Sequence, residues 1–274
     1  MAKIVAATGV PHSPYYPPLF AREPDCETAQ LFRKIKGYLD AAKADVTIVF
    51  ANDHFNTFFL DNFPTFAVGV SDTTFGPNDK TPMKNYSDIK VNVRLAGHIR
   101  TQAIHSSFDI SVAEEFGIDH AMLVPLHYLT DMDKPIVPIW INAFVRPLPL
   151  ARRCFAIGQM VRDAIACWPN DLRIAMICTG AFSLEIGGPR IELGKRNSVP
   201  DLKWSRHVQG LIEAAQFDAL VEQSTPEQMW RAGTTGGELL NWIVMLGAIG
   251  PRKPNYVTGE GNNGHAYVFW KLDE

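Results

Sequence analysis

One run of almost wholly apolar residues, Asp45–Ala51, narrows the folds open to this chain more than any other feature. It reads Asp-Val-Thr-Ile-Val-Phe-Ala, and most of its residues are β-branched or aromatic. A strand without a polar face is covered on both sides, as in parallel sheets whose crossover connections carry helices. The preceding segment, Cys26–Ala44, has Leu31, Ile35 and Leu39 at helical spacing. Together the two segments predict a helix packed against a buried parallel strand.

The same alternation of strand and helix patterns recurs along the chain. Strands are also predicted at Lys3–Thr8, Phe66–Val70, Asp109–Ala113, Pro135–Ile141, Arg173–Cys178 and Tyr267–Trp270. Helices are also predicted at Val93–Ile104, Ala151–Trp168, Leu202–Ala215 and Glu238–Leu246. Pro11–Pro18 is expected to be a loop, and Asn56–Asp88 a long loop or hairpin excursion that forms a lid or pocket wall. The order indicates an α/β fold with a mostly parallel central sheet flanked by helices.

Size and composition set the remaining limits. The 274 residues suffice for one large domain or two small ones, and because no linker is visible we expect a single catalytic domain, residues 1–274. The net charge of -3 and the lack of a basic run argue against a nucleic-acid partner. No apolar stretch approaches the roughly 18 residues of a membrane span, and no secretion signal is visible. The four cysteines lack Cys-x-x-Cys spacing, so we expect free thiols in the cytoplasm.

Two histidines directly follow predicted strands. His12 stands in the string Gly-Val-Pro-His-Ser-Pro, and His54 ends the string Asn52-Asp53-His54. Ligands of parallel sheets bind at the carboxyl ends of the strands, which places both imidazoles at one rim. Asn52 or Asp53 is available to hold the ring or the neighbouring loop. The alternatives are a loop histidine without a role for His12 and an Asx turn that closes a strand for His54.

An acidic residue, Glu238, follows Gly236-Gly237 at the start of a predicted helix. A carboxylate there is either a metal ligand or a first-turn acid favoured by the helix dipole, and the sequence alone does not separate these readings. Two imidazoles and one carboxylate hold one face of a ferrous ion and leave other positions open for substrate and dioxygen. The same donors also suit catalytic zinc.

Three further histidines are candidates for proton transfer. His120 follows Asp119, which either orients the imidazole or caps a short helix. His127 lies seven residues further on, and it shares a face with His120 if a helix continues through Pro125. His265 follows the glycine- and asparagine-rich loop 261–264 near the C-terminus, from which it is able to reach the site.

Five short strings, taken in order, resemble one enzyme family. They are His12-Ser13-Pro14; Asn52-Asp53-His54; Asp119-His120 with Val124-Pro125-Leu126; Thr179-Gly180; and Gly237-Glu238-Leu239 followed by Trp242. The ordered set is similar to the catalytic subunit of class III extradiol ring-cleavage dioxygenases of the protocatechuate 4,5-dioxygenase type. Each string alone is weak evidence, whereas the order makes the resemblance specific.

The resemblance implies Fe(II) held by His12, His54 and Glu238. It implies a small aromatic diol that chelates the metal through two oxygens beside O2, and ring cleavage next to these oxygens rather than between them. His120 matches the pocket histidine of the family, which positions substrate and oxygen and assists proton transfer. Family members form dimers or larger assemblies and some need a small partner subunit, so we expect a homo-oligomer and keep such a subunit open.

One position departs from the family pattern. Where the family reads Thr-Gly-Gly-x-Ser-His, this chain reads Thr-Gly-Ala-Phe-Ser-Leu and ends at Leu184. Because leucine cannot move a proton, either His127, His265 or water does that work, or the substrate needs less help. A hydroxypyridone or dihydroxypyridine fits the second option, since its ring supplies an acidic proton. The alternatives to a dioxygenase are a non-catalytic accessory subunit and a zinc-dependent hydrolase on the same scaffold.

Overall fold

A computed structural model describes residues 1–191, 194–259 and 263–272, so that part of the loop before His265 lies outside the described residues. Its strands are β1 (Lys3–Val10), β2 (Val46–Ala51), β3 (Phe66–Gly69), β4 (Thr73–Gly76), β5 (Tyr86–Lys90), β6 (Ser111–Ala113), β7 (Ile136–Ile141), β8 (Arg173–Thr179), β9 (Glu185–Ile186), β10 (Asn197–Ser198), β11 (Tyr256–Gly259) and β12 (Ala266–Lys271). Its helices are α1 (Tyr16–Arg22), α2 (Glu27–Ala42), α3 (Val93–His105), α4 (His120–Leu129), α5 (Ala151–Ala166), α6 (Leu202–Glu213), α7 (Phe217–Gln223), α8 (Pro226–Arg231) and α9 (Leu239–Ile249).

Eight strands form the central sheet, in the order β11-β12-β1-β8-β2-β7-β3-β6. The four inner strands β1, β8, β2 and β7 are parallel to one another, whereas β12 and β3 run antiparallel to their inner neighbours. The predicted α/β fold with a mostly parallel sheet flanked by helices is therefore confirmed. Because the four inner strands are parallel, their carboxyl ends all lie at the same edge of the sheet, where residues that follow them can form one site.

The predicted burial of β2 on both faces is also confirmed. All six residues of β2 are buried. Ile48 and Phe50 pack into the core that includes α3, α5, α6 and α9, whereas Val49 and Ala51 pack into the core that includes α2 and α4. Burying an aliphatic or aromatic side chain of this size stabilises the fold by about 1.5–3 kcal/mol. The alternate residues of one strand thus join the two helical layers.

Several local predictions are wrong or incomplete. The segment Pro11–Pro18 is not wholly a loop, because α1 begins at Tyr16; its two prolines occupy the first turn, where a missing N–H costs nothing. The hairpin excursion predicted at Asn56–Asp88 is confirmed, because besides the predicted strand β3 it holds β4 and most of β5, which form an antiparallel pair. Helix α9 continues to Ile249 with every residue buried. In the described part of the chain, no helix combines the length and apolar character needed to cross a membrane.

Candidate metal centre and its cavity

The sheet brings the two strand-end histidines together. Val10 at the end of β1 pairs with Thr179 at the end of β8, and Phe50 of β2 pairs with Cys178 of β8. His12 follows β1 by two residues and His54 follows β2 by three residues. Their ring centroids lie 5.3 Å apart at the carboxyl edge of the sheet. This is the rim at which ligands of parallel sheets bind.

Glu238 joins the two histidines from the turn that precedes α9. Its Oε1 atom lies 3.4 Å from His12 Nε2 and 3.9 Å from His54 Nε2, and its side chain is 4% exposed. Its Oε2 atom accepts a 2.8 Å hydrogen bond from the backbone N–H of Ala181. Gly180 makes room for this carboxylate, because a Cβ atom at position 180 would lie 2.6 Å from Glu238 Cβ, and its φ of +131° also favours glycine.

Trp242 fixes the start of α9 against the strand ends. Its ring covers Gly9, where a Cβ atom would approach the indole carbons to 2.0–2.6 Å. Its Nε1–H donates a 3.1 Å hydrogen bond to the carbonyl oxygen of Gly180. The preceding residue contributes as well: Asn241 Nδ2 donates to Asn52 Oδ1 at 3.0 Å and to the Thr179 carbonyl at 2.9 Å. The glycine and tryptophan positions therefore serve to place Glu238.

The Nδ1 atoms of His12 and His54 each have a partner that leaves Nε2 pointing inward. His12 Nδ1 lies 3.0 Å from the hydroxyl of Thr179, and His54 Nδ1 lies 3.0 Å from Asp119 Oδ2. The backbone N–H of His54 also donates to Asp119 Oδ2, at 2.8 Å. Metal-binding histidines usually have such a partner on the nitrogen that does not bind the metal.

The two aspartates near the histidines have roles that the sequence assigned only in part. Asp119 Oδ1 accepts the backbone N–H of Ala121 at 2.9 Å, so the predicted cap of a short helix is confirmed for α4. The imidazole that Asp119 holds is nevertheless His54, not its neighbour His120. Asp53 holds the loop, because its carboxylate accepts backbone N–H groups of Asn56, Thr57 and Phe58.

His120 stacks on His54, with ring centroids 4.2 Å apart. One ring nitrogen from each of His12, His54 and His120 lies within 4.8 Å of the other two. The Nδ1 atom of His120 lies 2.5 Å from Asp79 Oδ2, in the connection between β4 and β5. Sequence reasoning missed Asp79, because 41 residues separate it from His120 and the only signal was the predicted excursion.

The three carboxylates of this cluster have lowered pKa values, although burial by itself raises them. Burial raises the pKa of Glu238, but the combined effect of His12, His54 and the Ala181 N–H lowers it below its ordinary value. Burial likewise raises the pKa of Asp119, and His54 and His120 outweigh this effect, so the pKa lies well below the usual range. The pKa of Asp79 falls to about 2, because the hydrogen bond and charge of His120 overcome its burial.

The imidazoles respond in opposite directions. Burial lowers the pKa of His54, yet the nearby charges of Asp119 and Glu238 raise it above its ordinary value. Burial lowers the pKa of His120, and the bond to Asp79 offsets this only in part. The pKa of His120 therefore lies below that of an ordinary histidine, whereas the anionic groups around His54 raise its pKa. Ionised carboxylates around converging imidazole nitrogens are a donor set that fits a divalent cation such as Fe(II) or Zn(II).

The cluster forms the inner end of a cavity of about 430 Å³. This volume suits a small organic ligand. Leu184 and His265 line the same cavity, together with Tyr15. The cavity thus brings together five of the six histidine and glutamate residues that the sequence singled out, namely His12, His54, His120, Glu238 and His265.

His127 is the sixth, and the structure places it elsewhere. Helix α4 does continue through Pro125, but seven residues advance the chain by about 10 Å. His127 Nδ1 lies 2.5 Å from the hydroxyl of Tyr86, and the ring also packs against Tyr128. His127 is not among the described residues that line the cavity, so its surroundings do not support the predicted role in proton transfer.

A family model described as the catalytic LigB subunit of aromatic ring-opening dioxygenase matches residues 6–269. The chain belongs to this family. The LigB-family chain is 28% identical over 184 residues to gallate dioxygenase of Pseudomonas putida KT2440, a match that covers 66% of this chain and 50% of that protein. It is 27% identical over 286 residues to 2,3-dihydroxyphenylpropionate/2,3-dihydroxicinnamic acid 1,2-dioxygenase of Paraburkholderia phymatum, covering 89% and 87% of the two chains.

The fold recurs in a crystal structure of the uncharacterized protein JW3007 from Escherichia coli K12. The two chains are 15% identical with a TM-score of 0.62, and the match covers 97% of this chain and 99% of the other. Membership of the LigB family confirms the predicted class of ring-cleavage dioxygenase. The narrower resemblance to the protocatechuate 4,5-dioxygenase type stays a prediction. The LigB-family chain spans half the length of the gallate dioxygenase that it matches.

Proposed function

We propose that this protein is a non-haem Fe(II) extradiol dioxygenase that uses O2 to open the ring of a small aromatic or heteroaromatic diol. The observation that supports this most is the approach of His12 Nε2 and His54 Nε2 to Glu238 Oε1 at the inner end of a small-molecule cavity. Two imidazoles and a carboxylate occupy one face of the ion. His12, His54 and Glu238 would hold the ion, and bound Fe(II) would supply the redox chemistry that joins a diol to O2.

The residues around the ligands have distinct tasks in this proposal. His12, His54 and Glu238 hold the metal, and Thr179 and Asp119 orient the two imidazoles through their Nδ1 atoms. His120 accepts the proton of a diol hydroxyl at Nε2, because its Nδ1 atom is held by Asp79. Asp79 then stabilises the imidazolium that forms. These tasks need no group at position 184.

Leu184 favours a substrate whose ring supplies an acidic proton, because a leucine at this position cannot transfer one. Its side chain lines the cavity at the position where the resemblance places a histidine. A hydroxypyridone or dihydroxypyridine carries an acidic ring proton, so we propose a heteroaromatic diol as a substrate class. A comparison of turnover on catechols and on pyridinediols tests this substrate class. Exclusive use of protocatechuate-like acids would contradict it.

Metal analysis and oxygen uptake test the proposal as a whole. The protein is purified without oxygen, its metal content is determined, and the Fe(II)-loaded form is assayed for O2 uptake with a panel of diols and hydroxypyridones. We expect bound iron and O2 consumption with at least one diol. Zinc with no O2 uptake would favour a hydrolase, and the absence of bound metal would favour an accessory subunit.

We also propose a cytoplasmic homo-oligomer, with a small partner subunit left open. This part rests on the family resemblance and on the free cysteines Cys26, Cys154, Cys167 and Cys178. Light scattering on the purified protein measures its mass in solution. A mass equal to that of the single chain, 30.5 kDa, would contradict the predicted assembly.

A further inference from the structure

The cavity wall beyond the metal centre is built differently from its inner end. Leu184, Ile186 and Val199 line it: Leu184 lies between β8 and β9, Ile186 lies in β9, and Val199 directly follows β10. Ile186 is 53% exposed, so this wall lies at the solvent side of the cavity. The wall is therefore apolar on the side toward which a substituent of the substrate ring would point, away from the metal centre.

The described residues of the lining contribute no permanently cationic side chain. Among the described residues that line the cavity there is no lysine or arginine. Its polar groups outside the metal centre include Tyr15, Asn197, Asn263 and His265. Arg196 lies nearby but is exposed, with its guanidinium carbon 5.7 Å from the centroid of the Tyr15 ring. A cation in that position is largely screened by water.

The fixed charges near the cavity are negative. Glu238, Asp79 and Asp119 are buried or nearly buried carboxylates, and their hydrogen-bonded side-chain partners include imidazoles of the same cluster. The charge of a bound divalent ion would be balanced by Glu238 and by the ionised diol oxygens. A carboxylate attached directly to the substrate ring would then enter the cavity without a counter-ion, and burying an unpaired charge is costly.

We infer that this cavity selects diols whose ring carries no charged substituent. The inference rests on the proposed function and narrows its substrate class. It separates this chain from the relatives named above, whose named substrates, gallate and 2,3-dihydroxyphenylpropionate, are carboxylates. Leu184, Ile186 and Val199 are the specificity-determining residues in this account.

Two ligands of nearly equal shape test the inference. Protocatechuate and 3,4-dihydroxybenzamide differ in the charge of one substituent, while their two hydroxyls are identical. With Fe(II)-loaded wild-type protein we expect kcat/KM for the amide to exceed that for the acid on the order of 30-fold. Anaerobic calorimetry is expected to give a Kd ratio in the same direction, which separates binding from the chemistry of the ring.

A pair of variants assigns the discrimination to the wall. Ile186→Lys places a cation at the cavity, and Ile104→Lys places the same charge on α3 at a residue with nearly equal exposure, 52% against 53%. We expect Ile186→Lys to reduce the preference for the amide about fivefold and Ile104→Lys to leave it unchanged.

The outcomes are distinguishable. Acid turned over or bound as well as amide by the wild-type protein would overturn the inference while leaving the proposed dioxygenase intact. If the preference for the amide over the acid is strong but Ile186→Lys does not change it, the electronic difference between the two rings would be its cause. This result would also overturn the role of the wall. If no diol supports O2 uptake by the iron-loaded protein, the proposed function itself fails.

Discussion

The two ends of the cavity are built by different parts of the fold. At the inner end, the side chains of His12 and Glu238 are only 3% and 4% exposed, and hydrogen bonds to the ends of β8 and α9 fix the cluster. At the outer end, Leu184 precedes β9 and Ile186 lies within it, and β9 pairs with β10 outside the main sheet. The inner end is thus specified by the central fold, whereas the outer end depends on a local segment.

This difference suggests how the two ends divide their work. The parallel strands deliver ligands to one point, because their carboxyl ends are held in register by the whole sheet. Changes at that point are expected to affect the metal and the chemistry. Changes in the β9–β10 pair are expected to affect the choice of substrate, since Ile186 of β9 and Asn197 of β10 line the cavity and are not among the proposed ligands.

The largest expected effect concerns Glu238. Glu238→Gln removes the charge of a proposed metal ligand, and we expect loss of bound iron and a fall in turnover beyond the roughly 100-fold typical of residues that only support a ligand. Glu227→Gln is the matched control, because Glu227 is also a carboxylate in the first turn of a helix but is exposed. Iron content and O2 uptake are measured for both.

The control decides between the two readings of Glu238 that its sequence position leaves open. If the carboxylate served only the helix dipole, both variants would lose a few tenths of a kcal/mol up to about 1 kcal/mol of stability and keep their iron. Retained iron and full turnover in Glu238→Gln would refute the ligand assignment. His12→Ala and His54→Ala are expected to lose iron in the same way.

A smaller effect is expected one contact further out, at Asp119. Asp119→Asn weakens the hold on His54 Nδ1, and we expect metal affinity to fall about 10–100-fold. Asp53→Asn is the comparison, because Asp53 is equally buried but holds only backbone N–H groups of its loop. Its metal affinity is expected to change by less than about threefold. Equal losses in the two variants would show that burial of an acid, not its contact with His54, controls the metal.

The pair His120 and Asp79 is expected to affect turnover without affecting the metal. His120→Ala should keep iron and lower kcat about 100-fold, and Asp79→Asn about tenfold with little change in KM. The double variant should lose no more than His120→Ala alone, because Asp79 acts through His120. Asp72→Asn, an exposed acid before β4, is the control. Additive losses would exclude the positioning role of Asp79.

The location of the inner end was predictable from local sequence, whereas the choice of His12, His54 and Glu238 as ligands depends on the family resemblance. His12, His54 and Glu238 lie next to buried strands or a buried helix, and apolar runs are the signal that a single sequence shows best. Gly9, Gly180 and Trp242 are close to one another because α9 packs against the strand ends. Gly180 and Trp242 also belong to the short strings whose order gave the family resemblance. The fold class followed from the same runs.

The contacts that the sequence did not reveal are those made across the chain. Asp79 reaches His120 from a hairpin connection, and Asp119 turns to His54 although His120 is its neighbour. The prolines of Pro11–Pro18 predict a loop, yet helix α1 begins within this segment, because the first turn of a helix accepts proline. Tertiary packing decides these features, and no periodicity in the chain encodes it.

The smallest effect is expected at His127, the one proposed proton carrier that lies outside the cavity. His127→Ala should keep iron and leave kcat/KM unchanged within about twofold, and lose about 1 kcal/mol of unfolding free energy because the contact with the Tyr86 hydroxyl disappears. His265→Ala, in the cavity lining, should instead lower kcat/KM while keeping iron. Chemical denaturation and steady-state kinetics measure both variants. A large loss of turnover in His127→Ala at unchanged stability would mean that proton transfer extends along α4. The chemistry would then depend on a residue outside the cavity as well as on the inner end.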